Sequence, residues 1–378
     1  MFTISARRLF DGHDVLEDQV VRIDQGKIVD LAPGRAADVD LGDATLLPGL
    51  IDCHVHLTFD ASDDAVAHLQ TASDEELVAG MRQAAAHTLA KGVTTVRDLG
   101  DRNYLSLRLG LGPTEGPEIL GSGPPITTTK GHCWFLGGEA DGEEGVRAAV
   151  RERARNGAHV IKMMLTGGEL TPGTRSWERQ YELSEVRAAA DEAHALGLPI
   201  AGHAHGADGI AYALEAGFDT IEHCTFFTED GLDIDTELMA RLAASDVVIS
   251  LTMGVVPTDA PMPPRVRALL PRLGELLRAH RDMGMKVVIG TDAGIGPPKP
   301  HGLLPLGAQM LVEMGGFEAL DVLRSITARA AEVCRVGDRK GSIAPGFDAD
   351  LVAVTGDPVS DIGALHHPVG VWRLGHRL

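Results

Sequence analysis

Five times along this chain a helical stretch stops at a glycine and a β-rich apolar run follows: "AKGVTTV", "RNGAHVI", "ALGLPIAG", "EAGFDTIEH" and "DMGMKVVIG". Gly92, Gly157, Gly197, Gly217 and Gly284 stand where a helix would end in a left-handed residue, a conformation that glycine adopts at little steric cost. Buried strands alternating with helices imply parallel βα units. Ser73 with Glu76 forms a capping-box signature, and Leu77, Met81, Ala85 and Leu89 continue as a helical stripe. Further helices are expected near 143–156, 184–196, 207–216, 235–245, 265–283, 303–315 and 317–330. Strands are expected near 48–56, 94–99, 118–122, 159–165, 199–203, 220–224, 247–252 and 286–292. These make about eight strand–helix units, so the expectation is an α/β chain built on a TIM (β/α)8 barrel.

The two ends have another texture. Residues 1–46, with "TISARRLFDG" and "DQVVRIDQGKIVDLAPG", read as short strands and turns, and so do 335–378, with "GSIAPGFDADLVAVTGDP" and "VGVWRLGHRL". A small β-sandwich domain built from both ends is expected, flanking a barrel over 47–334. A chain of 378 residues, 44% of them hydrophobic, is long enough for both cores.

Net charge narrows the partners. At −20, with no Lys/Arg cluster, the chain is unsuited to nucleic acid or to anionic membrane surfaces, and the acidity reads as solubility; a small-molecule substrate is expected from the enzymatic reading below, and self-association into a homo-oligomer stays open. "MFTISARRLFDG" lacks the apolar run of a signal peptide, and Cys53, Cys133, Cys224 and Cys334 have no CxxC spacing. Reduced thiols in a cytoplasmic protein are the expectation.

The chemistry gathers at strand ends, where a parallel barrel forms its sites. In "LPGLIDCHVHL", His54 and His56 lie two apart and so share a strand face. Lys162 follows in "HVIKMML", His203 in "PIAGHAHG", His223 in "TIEHC" and Asp292 in "VVIGTDAG". Singly, each has a bland explanation: a packed His pair, an N-capping Asp, a lysine reaching solvent. Five strand ends that all offer metal-ligand types point jointly to a metal site.

In this order, "LPGLIDCHVHL", "VIKMMLTGG", "AGHAHG", "IEHCT" and "GTDAG" resemble the amidohydrolase superfamily, in particular its prolidase-like and imidazolonepropionase-related branch. "GSIAPGFDADLVA" resembles that superfamily's sandwich domain. The resemblance implies two divalent metal ions, usually zinc. His54, His56 and Asp292 would hold the more buried ion, and His203 and His223 the more exposed one. Lys162, carbamylated by carbon dioxide, would bridge them; the carbamate is anionic and bidentate, whereas a plain ammonium would repel the ions.

The implied reaction is hydrolysis of an amide by a metal-bridging hydroxide, with Asp292 as general base and then acid. Xaa-Pro-type dipeptides or N-acyl amino acids are the implied substrates. Cyclic amides, esters and phosphotriesters stay open, as does lyase or isomerase chemistry on a biosynthetic intermediate. His132, in "TTTKGHCWFLGG", matches a Gly-His common in the branch and is a candidate oxyanion donor; the alternative is a solvated loop histidine. His205 is either a substrate contact or ligand support, or purely structural. In the loop after Lys162, Gly167–Gly168 matches the branch, and Arg175, Trp177, Arg179 and Tyr181 are candidates for the substrate carboxylate or side chain. Asp98 is expected to be structural.

Overall fold

Gly92, Gly157, Gly197, Gly217 and Gly284 all have positive φ, between 66° and 85°. Each expected stop is thus a left-handed residue ahead of a strand. These angles come from a computed structural model, which describes residues 1–258 and 264–378.

Among the described residues, the strands in chain order are β1 (Phe2–Phe10), β2 (Val15–Asp24), β3 (Lys27–Pro33), β4 (Val39–Asp40) and β5 (Ala44–Pro48). There follow β6 (Leu50–Val55), β7 (Val93–Asp98), β8 (Glu118–Gly121), β9 (Ile161–Met164), β10 (Ile200–Ala204), β11 (Thr220–His223), β12 (Val248–Thr252) and β13 (Val287–Gly290). The last are β14 (Leu351–Thr355), β15 (Pro368–Arg373) and β16 (His376–Arg377).

β6 to β8 form one parallel sheet and β9 to β13 another, each in sequence order. Isolated parallel bridges join the two sheets at both seams, Val55 to Ala293 and Ile126 to Met163. Backbone hydrogen bonds reinforce them: His56 N–H donates to Ala293 O at 3.0 Å and Ile126 N–H to Lys162 O at 2.8 Å. The fold is mixed α/β with parallel sheets, and the bridged seams are consistent with the expected barrel.

The two chain ends meet in one sheet of order β16-β15-β14-β5-β1-β2-β3, with β4 on β1. The antiparallel pair of β5 with β14, Leu47 opposite Val352, joins them. Ile4, Val21 and Ile28 from one end share a buried apolar cluster with Leu351, Ala353 and Trp372 from the other. The chain leaves this sheet at Gly49, where a Cβ would lie 2.1 Å from Thr94 Oγ1, so only glycine fits.

The capping box at Ser73 and Glu76 is formed, and its helix runs Asp74–Ala90. The helix expected over 317–330 is two, Ala319–Ser325 and Ala328–Val333. Hydroxyls cause the break: Ser325 Oγ donates to Val322 O at 2.7 Å and Thr327 Oγ1 to Leu323 O at 2.6 Å, competing with the helical ladder. No helix among the described residues is long and apolar enough to cross a membrane.

Candidate metal centre

His54, Lys162, His203 and His223 lie on β6, β9, β10 and β11, while His56 and Asp292 lie just past β6 and β13. Strand regularity does not deliver them all. His223 has φ 69° and Asp292 φ 58°, left-handed values that non-glycine residues adopt at a cost and that cluster at functional sites. In β11 this matters, because regular alternation would send Glu222 and His223 to opposite faces. Instead both approach His54: Glu222 Oε2 lies 2.9 Å from His54 Nδ1, and the two imidazole centroids are 5.2 Å apart.

The first cluster is His54, His56 and Asp292. His56 Nδ1 faces the Gly100 carbonyl at 3.1 Å, and a carbonyl only accepts, so Nδ1 carries the hydrogen. His54 Nδ1 donates to Glu222 for the same reason. Burial alone would raise the Glu222 carboxyl, but the Arg97 guanidinium and His54 hold it well below the usual range, so it is ionised. Both Nε2 atoms are therefore lone pairs in the neutral rings. They face each other at 3.2 Å, and Asp292 Oδ1 stands 3.5 Å from one and 3.2 Å from the other. Three acceptors converging in a buried space require a cation among them, either a proton or a metal ion.

The second cluster is His203, His205 and His223, whose ligand atoms lie within 4.8 Å of one another. His203 Nε2 donates to Gly167 O at 3.0 Å, which leaves Nδ1 as its free lone pair. Burial holds the His203 and His223 imidazoles well below their ordinary value, so both are neutral, the form that binds metals. His205, two residues after His203, joins them. Its ring stacks on His223 at 4.4 Å and on Phe227 at 5.1 Å, and its Nδ1 lies 2.8 Å from Thr225 Oγ1. The His223 ring, 4.6 Å from His203 and 5.2 Å from His54, stands between the clusters.

Lys162 is 1% exposed, and among the described residues its Nζ has no hydrogen-bond partner. Burial lowers its pKa to about 8. An orphaned buried amine beside two histidine clusters and a carboxylate fits a metal centre and has no evident packing purpose.

The family model described as "Amidohydrolase family" matches residues 45–377. The chain belongs to the amidohydrolase family. It is 28% identical over 372 residues to the ochratoxinase of Aspergillus niger, covering 87% of this chain and 75% of that protein. It is 25% identical over 395 residues to the imidazolonepropionase of Streptomyces coelicolor, covering 92% and 87%. A solved Xaa-Pro dipeptidase with methionine bound in the active site superposes with a TM-score of 0.87 at 30% identity, over 100% of this chain and 99% of that one. The protein is accordingly a hydrolase.

Around this amidohydrolase centre stand residues that sequence reasoning missed. Arg97, fully buried, donates to Glu222 Oε1 at 2.9 Å and to Cys53 O at 2.7 Å. Asp52 accepts from Thr291 N–H and Oγ1 at 3.0 and 2.7 Å, tying β6 to the turn that carries Asp292; burial raises its pKa to about 7. Their signal was present: each is a charge inside an otherwise apolar strand run, "LIDCHV", "VTTVRD" and "TIEHC". Asp98 accepts from Leu57 N–H and Gly100 N–H at 2.9 and 3.2 Å, bracing the loop that begins with His56.

His132 is not a solvated loop residue. It is buried, with its ring 4.7 Å from His203, its N–H donating to Gln180 at 2.6 Å and its Nδ1 3.1 Å from Thr171 Oγ1. Gly168 is required here, since a Cβ would lie 2.4 Å from the His132 ring. The loop candidates are largely committed elsewhere. Arg175 pairs with Glu178 at 2.8 Å and Arg179 with Glu182 at 2.6 Å. Tyr181 is buried and donates to Ala140 O at 2.8 Å. Trp177 presses its backbone on Gly206, where a Cβ would meet Trp177 O at 2.3 Å.

Proposed function

We propose that this amidohydrolase cleaves the amide bond of Xaa-Pro-type dipeptides or N-acyl amino acids at a centre of two divalent cations bridged by a Lys162 carbamate. The convergence of acceptor atoms from His54, His56 and Asp292 carries this reading, with the orphaned Lys162 amine beside it. Relatives named ochratoxinase, Xaa-Pro dipeptidase and imidazolonepropionase support a hydrolytic reaction on small substrates. We read the bridged parallel sheets as a TIM barrel over 47–334, and the terminal sheet as a sandwich of 1–46 with 335–378.

His54, His56 and Asp292 would hold one ion, and His203 and His223 the other, with His205 stacked on His223. Imidazole donors suit zinc. When bound, such ions polarise a carbonyl and acidify water. Lys162 is suited to bridging because only a neutral amine adds to carbon dioxide, and burial brings this amine toward neutrality at ordinary pH. The addition forms one N–C bond, releases one proton and yields an anionic carbamate.

Asp292 supplies proton transfer. One of its oxygens faces His54 and His56, while the other takes the proton of the attacking water and returns it to the leaving nitrogen. His132 supplies a neutral donor, since burial pushes its imidazole down to about 3. The Thr171 hydroxyl accepts from Cys133 N–H at 2.8 Å and gives its own hydrogen to His132 Nδ1. Nε2–H is then left to stabilise oxyanion charge.

Assaying a library of Xaa-Pro dipeptides and N-acyl amino acids with zinc-loaded protein tests the proposal. Turnover with incorporation of labelled water oxygen into the product is expected. Activity confined to esters, phosphotriesters or cyclic amides would overturn the substrate class.

A further inference from the structure

Lys299, in "GIGPPKPHG", is set against the ends of two strands. Its Nζ donates to Thr252 O, on the last residue of β12, at 3.3 Å, and to Thr291 O, beside Asp292, at 2.9 Å. An ammonium has three hydrogens, so one N–H is left beyond these two carbonyls. Among the described residues no carboxylate forms an ion pair with it. Its charge is nonetheless felt at Asp292, Asp52 and His223. Asp52 is already taken by Thr291, and Asp292 by His54 and His56.

A partly buried cation clipped to neutral carbonyls, with a donor to spare, is placed to receive an anion. In a chain of net charge −20, a cation beside the centre with no carboxylate in direct contact among the described residues also stands out electrostatically. The loop arginines that might compete for an incoming carboxylate are committed to Glu178 and Glu182.

We propose that Lys299 is the substrate-carboxylate site, so that this enzyme selects amides whose leaving amine carries a free carboxylate. The proposal rests on the amide-hydrolase reading and deepens it. The carboxylate of a dipeptide or of an N-acyl amino acid accepts the remaining N–H of Lys299. The two carbonyl contacts fix the ammonium, so little side-chain freedom is lost on binding. Neutral amides or esters of the same compounds lack the charge and are disfavoured.

The test compares acid with amide in two ways on the metal-loaded protein. Kinetically, alanyl-proline and alanyl-prolinamide are assayed with wild type, Lys299→Gln and Lys299→Arg. Gln keeps donors for the two carbonyls and removes the charge; Arg keeps the charge. A charged hydrogen bond is worth about 10- to 100-fold, so wild type should prefer the acid in kcat/KM by about that factor. Gln should lose the preference, mostly through KM, and Arg should keep part of it.

At equilibrium, the product L-proline and its neutral counterpart L-prolinamide, which have no scissile acyl group, are titrated calorimetrically into the same proteins, with the same ordering expected. If wild type turns over neither dipeptide, the amide-hydrolase reading is decided by the wider library, and the titration still decides on Lys299. If Lys299→Gln folds and keeps the acid-over-amide ratio of wild type in both arms, Lys299 is only a clip on the strand ends and the proposal is wrong.

Discussion

His54 and Glu222 lie 2.9 Å apart, Nδ1 to Oε2, and neither is more than 1% exposed. This contact fixes the imidazole so that Nε2 points at His56 and Asp292. Glu222 is itself held by Arg97. Outer partners of this kind typically contribute 10- to 100-fold to metal affinity. Glu222→Gln should therefore weaken metal binding by about that factor, measured by competition with a chromophoric chelator. It also strands the Arg97 charge, and breaking a buried pair costs about 3–5 kcal/mol. The double variant Glu222→Gln/Arg97→Met should melt higher than Glu222→Gln alone. Equal metal affinity in Glu222→Gln and wild type would reduce Glu222 to packing.

Asp292→Asn separates proton transfer from metal holding. Asn keeps the shape and one coordinating oxygen but is no useful base. Turnover should fall by about 10²–10⁴-fold. Metal content should fall far less than in His54→Ala or His56→Ala. Near-normal turnover on the true substrate would assign the proton to another group.

His56 links metal loading to pH. Burial would lower its pKa, but the Asp292 carboxylate more than offsets that, and the folded value is raised above 6.5. In the metal-free protein this proton stabilises the fold fully below pH of about 6.5, and the contribution is lost as pH rises through the raised folded value. A metal ion takes the same three acceptors, so it must displace the proton. Metal affinity should weaken as pH falls, and calorimetric titrations should show heats that vary with the ionisation enthalpy of the buffer. Buffer-independent heats near neutral pH would place the proton elsewhere.

His132→Gln should lower kcat by about 10²–10³-fold, the usual effect of losing one oxyanion donor. Metal content should be unchanged, because none of the donor atoms in the two clusters is removed. His132 is neutral at any pH well above 3, so it should contribute no acidic limb to the rate profile. A metal-depleted His132→Gln protein would make it part of the ligand set.

Much of this was legible in the chain because its signals are local. A helix-ending glycine followed by an apolar run gives a strand start within a residue or two, and all five glycines have the left-handed backbone this requires. The six residues of the resemblance's ligand set were found by residue type at strand ends. What escaped is set by long-range contact. The Glu222–Arg97 pair joins residues 125 apart in sequence, and Lys299 reaches Thr252 from 47 residues away. The closeness of His205 to His223 depends on the left-handed turn at His223, which no propensity predicts for histidine. The loop after Lys162 offered charged and aromatic residues, but local pairs with Glu178 and Glu182 decide where they go.

Metal analysis of wild type beside Lys162→Ala tests the bridged centre most directly. Protein expressed with zinc and freed of loose metal should hold two ions per chain, and wild type should release one carbon dioxide on acidification. Lys162→Ala should lose one or both ions with nearly all activity, and small carboxylic acids should restore part of each. A reproducible one ion per chain in wild type, or an active and fully metallated Lys162→Ala protein, would contradict the bridged binuclear centre.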